Sequence, residues 1–179
     1  MKIYIILTYT GTMLAKIIKY YTHCEFSHVS ISLDENLEHM YSFGRLNPYN
    51  PFKGGFVHES VDKGTFKRFK NTKAMICSLE VTEEQYNKIK NAIRKISLEK
   101  ENYKFNIIGL FAVSIHLKIK RKRSFYCAEF VKYLLDNSSM KTYLPDIIKP
   151  EDFKNIKSLK PIYIGKLKEY NVKEKIVIN

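Results

Sequence analysis

Residues 124–131, which read SFYCAEFV, place one cysteine at the predicted start of an amphipathic helix. The apolar side chains from this point recur at helical spacing: Phe130, Val131, Leu134 and Leu135. The pattern predicts that Ser124 caps the helix and that Cys127 lies among the unpaired N–H groups of its first turn. Because the N-terminus of a helix carries partial positive charge, this position favours a thiolate and a negatively charged reaction intermediate.

A histidine far upstream is the predicted base for this cysteine. Residues 27–33, which read SHVSISL, alternate polar and apolar side chains as a half-buried strand does, with His28 near its start. A lone cysteine with a histidine remote in sequence is typical of a cysteine nucleophile and its base. Cys77 lies in an apolar run and is expected in the core, and Cys24 also lacks the surroundings of Cys127.

Together these two blocks resemble the circularly permuted papain-like amidases of the NlpC type, in which the histidine precedes the cysteine. The lecithin:retinol acyltransferase-like proteins share this permuted order. The resemblance covers roughly residues 3–165, and its specificity lies in the blocks around His28 and Cys127. It implies an α+β, permuted papain-like fold, with a small antiparallel sheet packed against helices and the cysteine at a helix N-terminus.

The resemblance also implies a third, polar side chain that orients His28 from the following strand. Counting along the sequence leads to Tyr41, which we expect in this role, while Glu59 is the carboxylate that a neighbouring loop offers. Four side chains in all are further candidates for orienting the base or contacting the substrate: Ser42, Glu59, Arg45 and Tyr126.

The remaining pattern predicts one domain over residues 1–179, with a charged tail at about 168–179. Thr82 and Gln85 form a predicted capping box at the start of a long helix. Residues 44–66, which are rich in glycine and proline, are expected to form a long loop with one short strand around residues 56–57. Strands and helices alternate in an order typical of an α+β layout. The predicted strands are residues 3–8, 27–33, 37–43, 74–81 and 162–167, and the predicted helices are 13–21, 82–98, 106–117, the helix from 127 and a short one from 150.

The net charge of +13, from 31 Lys and Arg against 18 Asp and Glu, attracts polyanions such as nucleic acid or an anionic membrane. We favour a solvated surface instead, because the lysines are spread along the whole chain. The basic segment, residues 118–123, is the exception. Directly ahead of the Cys127 helix, it is expected to border the same cleft as the predicted loop and to attract an acidic substrate.

These observations predict a cysteine hydrolase that cleaves an amide bond through an acyl-cysteine intermediate. The expected substrate is a small peptide, a cell-wall-derived peptide or an acyl-amine, and an anionic one is compatible with the charge. Two alternatives stay open: an acyltransferase directed at lipids, and a non-catalytic basic binding module of the same fold. No metal or cofactor is expected, since HExxH and CxxC spacings are absent.

The expected location is the cytoplasm. Three cysteines are an odd number without the spacing of a disulfide framework, which favours a reducing compartment. The apolar run at residues 1–7 is short and lacks a cleavage site of small residues, so it is interpreted as a first strand and not as a signal peptide. The sequence leaves the oligomeric state open.

Overall fold

The computed structural model describes residues 1–47, 49–113, 117–119 and 121–170. A six-stranded antiparallel sheet and a separate pair of parallel strands make up its β-structure. In chain order the described strands are β1 (Lys2–Tyr9), β2 (His28–Ser32), β3 (Met40–Asn47), β4 (Asn50–Glu59), β5 (Lys73–Glu80), β6 (Lys104–Phe105), β7 (Ser124–Phe125) and β8 (Leu159–Lys166). The large sheet has the order β4-β3-β2-β1-β5-β8, so β2, which begins with His28, is an interior strand.

Helices cover the sheet, and the chain has the predicted α+β architecture. The described α-helices are α1 (Met13–Thr22), α2 (Gly64–Arg68), α3 (Glu83–Leu98), α4 (Ile107–Ala112) and α5 (Cys127–Asn137). Short 3-10 helices occupy Lys100–Asn102, Pro150–Asn155 and Leu167–Glu169. The capping box of α3 is confirmed: the Gln85 N–H donates to Thr82 Oγ1 at 3.1 Å, and the Thr82 N–H donates to Gln85 Oε1 at 3.0 Å.

The two faces of the sheet belong to two apolar cores, which explains the unbroken apolar run of β1. Ile3, Ile5 and Leu7 join the larger core, in which α5 packs on β2 and β3 and contacts α3. The intervening side chains Tyr4 and Ile6 join a smaller core on the opposite face. Because successive side chains of a strand point to opposite faces, only a strand that is buried on both sides needs such a run.

The loop predicted for residues 44–66 is wrong over most of its length. Strands β3 and β4 form an antiparallel hairpin in which Gly44 pairs with Gly55 and Asn47 pairs with Asn50, and α2 follows after Glu59. Glycine, proline and asparagine are poor strand formers, so the sequence pattern favoured a loop. Pairing with β2 and packing against β6 supply the stability that the local sequence lacks.

Other boundaries differ from the prediction, such as that of the last strand, expected over residues 162–167 and observed over Leu159–Lys166. The strand expected from residue 37 begins at Met40, after a turn in which Asp34 accepts hydrogen bonds from the N–H groups of Glu38 and His39. The helix expected at 106–117 is described over Ile107–Ala112, and residues 114–116 lie outside the described chain. Of the expected charged tail, residues 171–179 also lie outside it. Within the described chain, no helix combines the length and apolar character needed to cross a bilayer.

Candidate active site

Cys127 is the first residue of α5, and Tyr126 is the N-cap, with extended backbone at φ −98° and ψ 172°. The first bond of the helix runs from the Phe130 N–H to the Tyr126 carbonyl at 3.0 Å. The N–H groups of Cys127 and Ala128 therefore have no acceptor within the helix. The Cys127 side chain lies beside these groups and lines a cleft, although it is only 4% exposed.

The predicted N-cap role of Ser124 is wrong, because Ser124 is held in an extended strand. In β7, Ser124 pairs in parallel with Lys104 of β6. Tyr126, two residues after Ser124, donates a hydrogen bond from its N–H to the Glu129 carboxylate at 3.2 Å. The side-chain amide of Asn106 donates another to the same carboxylate, also at 3.2 Å. Glu129 thus fixes the start of α5 from inside the helix.

His28 begins β2 and pairs with Thr8 of β1. Its Nε2 lies 3.0 Å from Oε1 of Glu59, and since a carboxylate only accepts, the ring donates this hydrogen bond. Nδ1 is then the ring nitrogen left for Cys127. The His28 and Glu59 side chains are 20% and 11% exposed, so this pair is largely shielded from water.

The electrostatics of this group favour a protonated His28. Burial lowers the pKa of His28, but the charge of Glu59 and the hydrogen-bond interactions with Cys127 and Glu59 outweigh it and raise the pKa to about 10. At neutral pH the ring is therefore an imidazolium with a negative partner on each nitrogen once Cys127 is a thiolate. By contrast, burial raises the pKa of Cys77 to about 11, which keeps that thiol neutral.

Glu59 is itself held in place by a residue that the sequence reasoning missed. The Ser30 hydroxyl donates a hydrogen bond to Glu59 Oε2, while Oε1 of the same carboxylate accepts the hydrogen bond from His28. Ser30 is two residues after His28 on β2, so both side chains project from the same face of the sheet. This spacing of two was the signal available in the sequence.

The structure places Glu59, and not Tyr41, against the His28 ring. In the ladder between β2 and β3, Tyr41 pairs with Ile31, so His28 comes level with Gly44. The two are close, because a Cβ added to Gly44 would lie 3.4 Å from the His28 Cε1 atom. The Tyr41 ring stacks instead on His58, with ring centroids 4.8 Å apart. The count along the sequence that led to Tyr41 missed this register.

Ser42 and Tyr126 are likewise engaged away from the His28 ring. The buried Ser42 hydroxyl donates to the Val29 carbonyl at 2.7 Å. The Tyr126 hydroxyl donates to the Ile148 carbonyl at 2.9 Å, and burial raises the pKa of this phenol. Both hydroxyls thus tie together neighbouring parts of the backbone.

The cleft that contains Cys127, His28 and Glu59 is narrow, with a cavity of about 70 Å³. Arg45 is among the polar residues that line it. Its apolar lining comes from both cores and from α1 and α4: Ala15, Ile18, Phe43, Phe66, Phe105 and Leu110. An apolar wall lowers the local dielectric and strengthens the interactions between charges inside the cleft.

The described part of the basic segment does not line this cleft, contrary to expectation. Lys118 and Arg121 border a separate depression of about 520 Å³ beside α5. Lys118 Nζ forms an ion pair with Asp146 Oδ2 at 2.7 Å, and Arg123 Nη1 forms another with Glu99 Oε2 at 3.7 Å. The segment leads into β7 before the helix begins, and this extended stretch carries its side chains away from Cys127.

Among the described residues, no group of three His, Cys, Asp or Glu side chains is arranged to hold a metal ion. The three cysteines are buried and form no disulfide. No protein-family model matches the chain, and no curated protein matches it with significant similarity.

Proposed function

We propose that this protein is a cysteine hydrolase that cleaves an amide bond through an acyl-cysteine intermediate. One observation carries the proposal: Cys127 at the start of α5 and His28 line the same cleft, and Glu59 is bonded to the far nitrogen of His28. The order of histidine before cysteine resembles the permuted papain-like amidases. Burying the charged pair of His28 and Glu59 costs free energy, and a purely binding role does not require such a pair beside a cysteine.

In the first half of the reaction, the Cys127 thiolate attacks the carbonyl carbon of the amide. The oxygen becomes an oxyanion, which the Cys127 N–H at the start of α5 stabilises. The proton on His28 Nδ1 then passes to the amide nitrogen, the C–N bond breaks, and the amine leaves. The acyl group remains on Cys127 as a thioester, and His28 is neutral.

In the second half, neutral His28 takes a proton from water, and the hydroxide formed attacks the thioester carbonyl. The C–S bond breaks, the acid leaves, and the thiolate and imidazolium are restored together. Throughout the cycle Glu59 keeps the ring oriented through its hydrogen bond to Nε2, and its charge stabilises the imidazolium form of His28.

The small size of the cleft favours a substrate that lies mostly on the protein surface and inserts only its reacting part. A cavity of about 70 Å³ lies far below the roughly 300–1,000 Å³ that enclose a whole small ligand. Only the scissile amide and a short flanking group fit inside. This favours a peptide, a cell-wall-derived peptide or a short acyl-amine, with the rest of the molecule lying outside.

Transfer of the acyl group to an apolar acceptor is the second candidate, and exposed side chains beside the cleft favour it. Helices α1 and α4 line the cleft through Ile18 and Leu110. The same helices expose large apolar side chains: Met13, Ile17, Tyr20, Ile108 and Phe111. An apolar rim of this kind suits a lipid-like acceptor. The intermediate on Cys127 is the same in both reactions.

Acylation of the enzyme tests the proposal directly. Incubation with p-nitrophenyl acetate near neutral pH should release a burst of one p-nitrophenol per protein and leave one acetyl group on Cys127, located by peptide mass spectrometry. A thiolate paired with the His28 imidazolium reacts at a pH where ordinary thiols do not, so iodoacetamide at mildly acidic pH should also label Cys127 ahead of Cys24 and Cys77. Addition of dodecylamine separates the two candidates, because acyl transfer yields the dodecyl amide and hydrolysis yields acetate.

Two variants control this experiment. His28→Ala should slow both acetylation and labelling, whereas His39→Ala, which changes an exposed histidine, should leave both rates unchanged. Equal labelling of all three cysteines, or labelling of Cys127 only after denaturation, contradicts the proposal.

A further inference from the structure

Arg45 is a half-buried cation in the same cleft as the reacting pair. It lies on β3 and lines the cavity together with Cys127 and His28. Its Nη2 donates to the Thr12 hydroxyl at 2.6 Å, which holds the guanidinium in place. No ion pair joins Arg45 to a carboxylate of the described chain. Glu59 shares the cleft, but its two oxygens are bonded to His28 and Ser30.

A second arginine reinforces this positive charge. Arg45 and Arg68 both lie over the ring of Phe69, at 6.0 Å and 5.5 Å from its centroid, and Arg68 also lies 3.8 Å from the ring centroid of Tyr49. Burial, followed by the like charge of Arg68, lowers the pKa of Arg45. Two cations held this close are unfavourable in the free protein, and a bound anion relieves their repulsion.

Arg45 also borders a second depression, next to the cleft. This depression, of about 220 Å³, shares four lining residues with the first: Arg45, Glu59, Thr65 and Phe66. Lys63 lines it as well. Arg45 therefore lies between Cys127 in the cleft and a further cation, Lys63, in the neighbouring depression.

We propose that Arg45 is a specificity-determining residue that binds a carboxylate of the substrate beside the scissile amide. This inference rests on the proposed function and defines its substrate class as an amide that carries an acidic group, such as an acidic peptide. The planar guanidinium matches a carboxylate in shape and charge, and the apolar walls of the cleft strengthen the interaction. The imidazolium of His28 already has Glu59 as its partner, so Arg45 is the group available to the substrate.

Two alkylating agents of nearly equal size test the inference. Iodoacetate carries a carboxylate where iodoacetamide carries a neutral amide, and the ratio of their rate constants at Cys127 reports how strongly the cleft favours an anion. Arg45→Gln should lower this ratio about five- to tenfold, the size expected for one interaction between charges at a half-buried site. Arg68→Gln, at an exposed position, should lower it about twofold.

The controls separate this inference from the proposed function. Arg45→Lys should keep most of the ratio, and Arg94→Gln, which removes a charge from an exposed position on α3, should keep all of it. If the ratio in Arg45→Gln and Arg68→Gln equals that of the wild type while iodoacetamide still selects Cys127, the anion site is overturned and the proposed function stands. If iodoacetamide does not select Cys127 in the wild type, the proposed function fails and the inference fails with it.

Discussion

At the scale of single residues, the pair of Glu59 and His28 determines which protonation state the site holds. Without a negative partner, a histidine this shielded from water would lose its proton easily, because burial disfavours the charged form. With Glu59 at 3.0 Å the balance is reversed, and the pKa of His28 rises to about 10. Ser30 in turn holds the second oxygen of Glu59. Three side chains from two strands thus maintain the imidazolium that interacts with Cys127.

Glu59→Gln should therefore lower the pKa of His28 and slow the labelling of Cys127 by iodoacetamide at pH 6–7. We expect a loss of about tenfold, since the substitution removes one charge–charge interaction at a shielded site. The rate should be followed from pH 5 to pH 10. Glu101→Gln, at an exposed position, is the matched control and should leave the profile unchanged. An unaltered profile in Glu59→Gln contradicts the role of Glu59.

The same pair gives stability a defined pH dependence. The pKa of histidine is about 6.5 in the unfolded chain and about 10 for His28 in the folded protein. The protonated ring therefore stabilises the fold fully below about pH 6.5, and this contribution is lost as the pH rises toward about 10. Urea unfolding at pH 6, 8 and 10 should show the stability advantage of the wild type over Glu59→Gln shrinking across this range. An advantage that is constant or grows with pH would contradict the raised pKa.

The sequence was sufficient to single out Cys127 and His28, which the structure brings to one cleft, because each lies in a short block with its own periodicity. It ranked Tyr41 above Glu59, whereas the structure has Glu59 bonded to the His28 ring. That choice depends on the register between β3 and β4, which brings residue 59 level with residue 40 and returns its side chain toward β2. Register is set by pairing across the whole hairpin and is not encoded in any local pattern.

At the scale of elements, the hairpin of β3 and β4 forms one wall of the site. It supplies Arg45 and Glu59 to the cleft and packs against β6, where Phe105 also lines the cleft. Gly54 makes this close approach feasible, because an added Cβ would lie 2.8 Å from Phe105 Cγ and 3.0 Å from the Gly44 carbonyl oxygen. Gly54, one of the glycines that predicted a loop, is therefore needed for packing within a strand.

Gly54→Ala should destabilise the protein by about 1–3 kcal/mol, since the new methyl group meets the base of a side chain and a backbone oxygen that cannot easily move. Gly55→Ala is the matched control on the adjacent residue. Its added Cβ would lie 3.3 Å from the end of Leu46, an exposed side chain that can rotate away. Urea unfolding of both variants measures the difference, and equal stabilities would show that the approach of Phe105 to the hairpin does not constrain residue 54.

Helix starts illustrate which elements a sequence reveals. The capping box of Thr82 and Gln85 is contained within four residues, and the structure has it as predicted. The start of α5 is different, because Ser124 is an equally suitable cap by residue type. Its pairing with β6, twenty residues earlier in the chain, keeps it extended and moves the helix start to Cys127. Local chemistry predicted the first case, and a contact between distant segments decided the second.

At the scale of the whole molecule, the site depends on the larger core. His28 and Cys127 come from opposite halves of the chain, and the elements that carry them meet only where α5 packs on β2 and β3. The core beneath them includes side chains from β1 through the 3-10 helix at Pro150–Asn155, such as Ile5, Leu134 and Phe153. Net charge, by contrast, gave little information about the site, because the described part of the basic segment lies elsewhere.

Because one core joins both halves, we expect the reactivity of Cys127 to vanish in the same transition as the fold. In a urea titration, selective labelling of Cys127 at mildly acidic pH should fall at the midpoint measured by far-UV circular dichroism. Cys24 and Cys77, which are 5% and 1% exposed, should become as reactive as Cys127 at that same midpoint. Leu134→Ala, at a fully buried position of α5, should move all three transitions together to lower urea, by about 2–5 kcal/mol in the free energy of unfolding. Loss of Cys127 selectivity at a urea concentration where the circular dichroism is still native would mean that α5 detaches from the sheet before the rest unfolds, and that the site has a stability of its own.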